Sequence, residues 1–225
     1  MDPMRTEDDQ VQALKKWWDE NGVSTVLSVI VAIAAVLGWR GWQSAQEAKA
    51  EAAAFSYQAM QTAVAAAAQA PDDDIKIAEA MHAADTIKQE FAKTGYAQFA
   101  ALAKAKQAVL DEDYASAETE LRWVIDKTQS AQLREIARLR LARVLLSAGN
   151  TDGALAALNQ GAETGGTSGD IFAAQKAELA GDIHIARGEY QLAVEQYERA
   201  GKITGDGPTR LPLVAMKLGY AKSQI

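Results

Sequence analysis

Two histidines, His82 and His184, are the only imidazoles in the chain, and they stand far apart. Imidazole is the side chain best suited to proton transfer near neutral pH and to metal ligation. Neither histidine sits at a His-x-x-x-His or carboxylate–His spacing that would place two ligands on one helical turn. Both read as structural, His184 falling where a helical repeat packs a ring between its helices. The run Gly165-Gly166-Thr167-Ser168-Gly169 has the glycine density of a phosphate cradle. It lacks the Lys-Ser/Thr ending and the preceding strand of a P-loop, so it reads as a flexible linker. Asp72-Asp73-Asp74 could attract a divalent cation, but acidic residues at a helix start are already explained by the positive end of the helix dipole. No Gly-x-Gly-x-x-Gly and no Gly-x-Ser-x-Gly occurs. Cysteine is absent, which forbids disulfides, iron–sulfur clusters and thiolate metal sites. The expectation is a protein that binds rather than catalyses, with no cofactor and no small-molecule substrate.

The 225-residue chain has a net charge of −7, which disfavours nucleic acid as a partner. The first 22 residues mix Arg5, Lys15 and Lys16 with six acidic side chains, so they are not a polybasic lipid-binding tail. Ala, Glu, Gln, Lys and Leu are abundant and only four prolines occur, a composition of strong helix formers. No stretch alternates with period two, so no sheet is expected.

The elements that must position any binding surface begin with Val23–Trp39, VSTVLSVIVAIAAVLGW, which carries no charge. A spanning helix needs about 20 mostly apolar residues. The flanks extend this one: Trp17 and Trp18 before it and Trp39 and Trp42 after it form an aromatic belt at each interface. Lys15, Lys16 and Arg40 can snorkel outward, and Ser24, Thr25 and Ser28 can bond back to helix carbonyls. A cleaved signal peptide fits less well, because the apolar run is long and Trp39-Arg40-Gly41-Trp42 is a poor cleavage site. A buried soluble helix would not collect four tryptophans at its two ends. Arg5, Lys15 and Lys16 against Arg40 and Lys49 give a slight positive-inside bias. That places the N-terminus in the cytoplasm.

Beyond the anchor the pattern is helical pairs. Tyr57, Met60 and Val64 share one face, Pro71–Asp74 breaks the chain, and Ile77, Ala80, Met81, Ala84, Ile87 and Phe91 form a 3.6-period stripe. Gly188-Glu189-Tyr190-Gln191-Leu192-Ala193, with Gly181 upstream and Tyr197 and Ala200 downstream, then resembles a tetratricopeptide repeat. In that repeat, small residues stand where two helices cross and an aromatic lies beside the turn. Leu141, Ala142, Leu145, Gly149, Ala154, Leu158 and Gly161 make a second copy. Ala105, Ala108, Tyr114, Ala117, Leu121 and Val124 make a third. Ala117, Ala154 and Ala193 are 37 and 39 residues apart, longer than the usual period, and Gly161–Asp170 reads as one of the longer loops. No copy has the repeat's early Trp, and Thr151 replaces the turn aromatic in the middle copy. Thr209–Ser223, through Leu211, Val214, Met216 and Leu218, is expected to cap the last hairpin.

The predicted fold is all-α: one N-terminal transmembrane helix followed by a tetratricopeptide-like helical-repeat solenoid. Its expected parts are a cytoplasmic tail (1–22), the anchor (23–42), a helical linker or first hairpin (43–95), and repeats with a capping helix (96–225). Such an array binds partners on the face made by the first helix of each pair. In register, that face holds Phe99, Leu102, Lys106 and Val109, then Ile136, Leu139, Arg143 and Leu146, then Gln175, Glu178, Asp182 and Ile185. It lacks the Lys/Asn clamp for a C-terminal carboxylate, so an extended or helical partner segment fits better.

The opening Arg5–Gly22, with its charged run and double Trp, the following Gly38-Trp39-Arg40-Gly41-Trp42-Gln43 and the closing Pro212–Leu218 closely resemble the YfgM family of ancillary SecYEG translocon subunits. The resemblance covers essentially the whole chain. It implies a single-pass type II protein of the bacterial inner membrane with a periplasmic repeat domain. The implied partners are the SecYEG translocon, a membrane-anchored periplasmic chaperone of the PpiD type, and the bilayer around Val23–Trp39. It also implies a non-enzymatic role in passing translocated proteins to periplasmic chaperones. The alternative it carries is a membrane-bound scaffold that restrains a stress-response regulator.

Overall fold

The computed structural model describes residues 3–160, 171–204 and 212–225, with side chains from Gln10 onward. The glycine-rich run 165–169, the Gly161–Asp170 segment and Leu211 lie outside the described residues. Within them, nine helices and no strand occur: α1 (Pro3–Gln69), α2 (Asp74–Glu90), α3 (Gly95–Leu110), α4 (Tyr114–Lys127), α5 (Ala131–Ser147), α6 (Thr151–Asn159), α7 (Ala173–Ala186), α8 (Tyr190–Thr204) and α9 (Pro212–Ser223). The chain divides into two units, Met1–Ala52 and Ala53–Ile225.

The first unit is helical and long and apolar enough to cross a membrane. Its valines, leucines and isoleucines are exposed, as a lipid-facing surface requires. Trp17 and Trp18 lie 6.4 Å apart at one end and Trp39 and Trp42 5.2 Å apart at the other. From Trp18 to Trp39 the helix rises roughly 32 Å, close to the hydrocarbon thickness of a bilayer. The Ser28 hydroxyl donates to the Ser24 carbonyl at 2.8 Å, so it adds no unsatisfied polar group.

The second unit begins within α1. Ala53 and Met60 pack with Ala84 and Ile87 of α2, Phe91, and Ala97 and Ala100 of α3. The break at Pro71–Asp74 is finished by Asp73, whose carboxylate accepts from the Lys76 amide and caps α2. Three helix pairs follow, α3–α4, α5–α6 and α7–α8, and their turns are built alike. The amides of Glu112, Gly149 and Gly188 donate to the carbonyls of Val109, Leu146 and Ile185. The next amides, of Asp113, Asn150 and Glu189, donate to Ala108, Leu145 and His184 at 2.8–2.9 Å. Each turn is thus a Schellman motif closed by a left-handed residue. The left-handed residues are Glu112 (φ 59°), Gly149 (φ 77°) and Gly188 (φ 73°).

The crossing of each pair is also conserved in geometry, with different residues filling it. Ala105 and Leu121, Ala142 and Leu158, and Gly181 and Tyr197 stand at equivalent positions and all are buried, and Gly181 abuts Tyr197. A Cβ added at Gly181 would lie too close to Tyr197 Cε1 for both to keep their places. Small and large residues therefore exchange across the crossing at roughly constant combined volume. Trp123 packs against both the α1–α2–α3 cluster and the repeat core, joining them.

Polar contacts lock the stack. Glu120 of α4, buried, takes the ammonium groups of Lys88 (α2) and Lys104 (α3), the latter at 3.0 Å, and Lys104 also reaches Asp85 at 2.5 Å. Lys88 lies 5.0 Å above the Trp123 ring. Glu135 of α5 pairs with Lys176 of α7 at 2.6 Å, tying one first helix to the next.

Replacing Gly181 with Ala is expected to cost about 1–3 kcal/mol by overpacking. Adding Tyr197→Leu should return part of that loss, which a double-mutant cycle of thermal melts measures. Glu112→Gly should raise stability by about 0.5–1 kcal/mol, because a side chain in the left-handed region costs about 1–2 kcal/mol and glycine's extra entropy loss offsets part of the gain.

Candidate partner-binding groove

The first helices α3, α5 and α7 carry the twelve positions singled out in the sequence at constant offsets before the turn residue. The first row is Phe99, Ile136 and Gln175; the second Leu102, Leu139 and Glu178; the third Lys106, Arg143 and Asp182; the fourth Val109, Leu146 and Ile185. The structure does not give these rows one environment. Leu102 and Leu139 are buried in the repeat core with Leu121, Leu141 and Leu145, so they support the surface rather than form it. Phe99, Lys106, Val109, Arg143 and Gln175 are exposed, and Ile136 and Leu146 are half-buried. Phe99 also leans on the second unit's first helix turns: its ring is 5.9 Å from Tyr57, which lies 5.0 Å from Tyr96.

The third repeat is already occupied by the chain itself. Lys217 of α9 donates to Glu178 at 2.7 Å and to Asp182 at 2.8 Å, and the Tyr197 hydroxyl donates to the other Asp182 oxygen at 2.8 Å. Ile185, Val194 and Leu218 each pack against a buried cluster that includes Tyr197, Val214 and Ala221. The terminal helix thus caps the stack through Val214 and Leu218, whereas Met216 points to solvent, 71% exposed. Burial works against the Lys217 charge, but the two carboxylates outweigh it and hold its pKa above 10.5. Burial, then the bond to Asp182, pushes the Tyr197 phenol far above its ordinary range.

Sequence reasoning did not find Lys217 as the partner of Glu178 and Asp182, since no local spacing announces a contact 35 and 39 residues away. Arg140 and Leu110 were also missed. Both are exposed and both lie one helical turn from a chosen position, Arg140 four residues after Ile136 and Leu110 four after Lys106, so the 3.6 period could have found them. His82 is exposed, and His184 holds Glu189 at 2.5 Å at the α7–α8 turn. The two histidines are not brought together. Among the described residues no group of His, Asp and Glu side chains is placed to hold a metal ion.

The family described as tetratricopeptide repeat-like domain matches residues 15–222. An ancillary SecYEG translocon subunit of Haemophilus influenzae is 33% identical over 86% of this chain and 88% of its own length. The chain belongs to the YfgM family of ancillary SecYEG translocon subunits. Other YfgM-family relatives, from Escherichia coli K12 and Aggregatibacter actinomycetemcomitans, bear the same name. They are 31% and 32% identical over 97% and 88% of this chain and 98% and 90% of their own lengths. The family match and the Escherichia coli relative's coverage take in the apolar N-terminal helix as well as the repeats.

Lys217→Met should leave Glu178 and Asp182 facing each other without a cation. The expected cost is about 1–3 kcal/mol, with faster hydrogen exchange in α9. Because Lys217 and Lys104 have raised folded pKa values, their pairing is intact below the ordinary lysine value of 10.5 and is lost as pH climbs through the higher folded values. Thermal stability should therefore fall above about pH 10.5, and Lys217→Met should show a shallower fall.

Proposed function

We propose that this protein is a non-catalytic interaction module of the Sec translocon, anchored in the bacterial inner membrane by one helix. The span is Val23–Trp39 with its tryptophan belts, in contact with the bilayer. The tail 1–22 faces the cytoplasm, and the repeats of 96–225 stand on the periplasmic side, joined to the span through 43–95. The exposed face of α3 and α5, from Phe99 to Leu146, receives a partner segment. A membrane-anchored periplasmic chaperone of the PpiD type is the expected partner, and passage of translocated proteins to such chaperones is the resulting role. No nucleic acid or small molecule takes part.

One observation carries this reading. A membrane-length helix with tryptophan pairs at both ends leads into a three-pair repeat body, in a chain that aligns nearly end to end with relatives named for the SecYEG translocon. A tether plus a binding face is what an accessory subunit needs, and the absence of cysteine and scarcity of histidine leave little for catalysis.

The test is affinity purification of the full-length protein in mild detergent, with mass spectrometry and an anchor-swapped control. Sec subunits and a membrane-anchored chaperone are expected above the control. Swapping only Val23–Trp39 should reduce Sec subunits if the span makes the contact, whereas Phe99→Glu with Arg143→Glu should reduce the chaperone. Eluates without Sec subunits would overturn the proposal.

A further inference from the structure

The three repeats carry opposite charges at one equivalent position. In the third, Asp182 with neighbouring Glu178 is neutralised by Lys217 of a docked helix, α9, which buries Val214 and Ala221. In the first and second, the same position holds Lys106 and Arg143, and Arg140 lies one turn from Arg143. All three cations are exposed, and among the described residues none forms an ion pair. Among the other cations of these helices, Lys104 is matched by Asp85 and Glu120 and Arg138 by Glu135, while Arg134 donates to the Ile125 and Thr128 carbonyls. Three unmatched cations on one face are unusual in a chain of net charge −7.

Apolar side chains flank Lys106 along α3. Phe99, Val109 and Leu110 are 44%, 39% and 66% exposed on α3. Resting on the partner-binding reading above, we propose that the α3–α5 half of the face docks an acidic amphipathic helix of another protein. Its carboxylates would pair with Lys106, Arg140 and Arg143, and its apolar side would cover Phe99, Val109 and Leu110. The docked α9 shows the same arrangement in cis with the charges reversed: apolar anchors toward the body and one charged side chain set between two opposite charges on the first helix. Opposite charge in adjacent repeats would also direct the two occupants to different places, since a like-charge register is unfavourable. A cationic patch alone would suit anionic lipid equally. The flanking apolar side chains favour a peptide helix, which presents both features at the same spacing.

The probe is a fluorescein-labelled synthetic helix of about five turns, with Leu at i, i+3, i+4 and i+7 spacing and Glu along both flanks. Matched peptides carry Gln or Lys in place of Glu. Binding to the full-length protein in detergent is read by fluorescence anisotropy at several salt concentrations. The Glu peptide should bind about tenfold tighter than the Lys peptide, and the difference should shrink as salt rises. Lys106→Glu with Arg143→Glu should weaken the Glu peptide about tenfold and strengthen the Lys peptide. Arg122→Glu, on the second helix of the first pair, should change neither. Circular dichroism checks that each variant is folded. Equal affinity for all three peptides, unchanged by the double reversal, overturns the charge inference while leaving the partner-binding face intact. No binding of any peptide overturns it too, and the purification experiment then decides the broader reading on its own. Binding to phosphatidylglycerol vesicles that depends on Lys106 and Arg143, with no peptide preference, assigns the cations to lipid and overturns it as well.

Discussion

Everything in the repeat body depends on how closely the two helices of a pair can approach. Each pair carries one small and one large residue at equivalent positions: Ala105 and Leu121, Ala142 and Leu158, Gly181 and Tyr197. A larger residue on the small side forces the two helices of the pair apart at a cost in stability. The common register of the first helices is what sets Phe99, Lys106 and Val109 in line with Ile136, Arg143 and Leu146. The candidate face is therefore a consequence of the packing beneath it. The tightest crossing, Gly181 against Tyr197, is also where the chain docks its own terminal helix: Tyr197 holds Asp182, and Asp182 holds Lys217.

Charge divides the labour along the stack. Near its start, Glu120 gathers Lys88 and Lys104 from two other helices, and Glu135 links α5 to α7. These pairs are internal and satisfied, so they fix helix order. The cations at Lys106, Arg140 and Arg143 have no such duty and face outward. At the far end the acidic pair of the third repeat is consumed by the cap. A repeat protein has to cover its last apolar face, and here α9 does so while its Lys217 pairs with the acidic residues of α7.

Much of this was legible in the sequence. The anchor follows from an uncharged run between tryptophan pairs, because the bilayer dictates length and belt positions. The pair boundaries follow from Gly149, Gly188 and the alanines at constant offsets, because close helix packing and left-handed turns admit few residue types. Glu112 hides the first turn, since a non-glycine there gives no signal. The candidate face residues were chosen by period, but period cannot separate Leu102, which is buried, from Lys106, which is not. It is equally silent on Lys217, whose partners come from another helix. The resemblance to the YfgM family supplied the translocon, which no spacing or charge could have shown.

The central claim is that the first-helix face of the α3 and α5 repeats, carried by the membrane tether, meets the translocon's partner protein. The most direct measurement is site-specific photo-crosslinking in native membranes, with the probe placed at Arg143 on that face or at Thr119 on the exposed second-helix face. The account predicts discrete adducts with a Sec-associated membrane protein from Arg143 and none from Thr119. Adducts absent from Arg143, or equally strong from both positions, would contradict it.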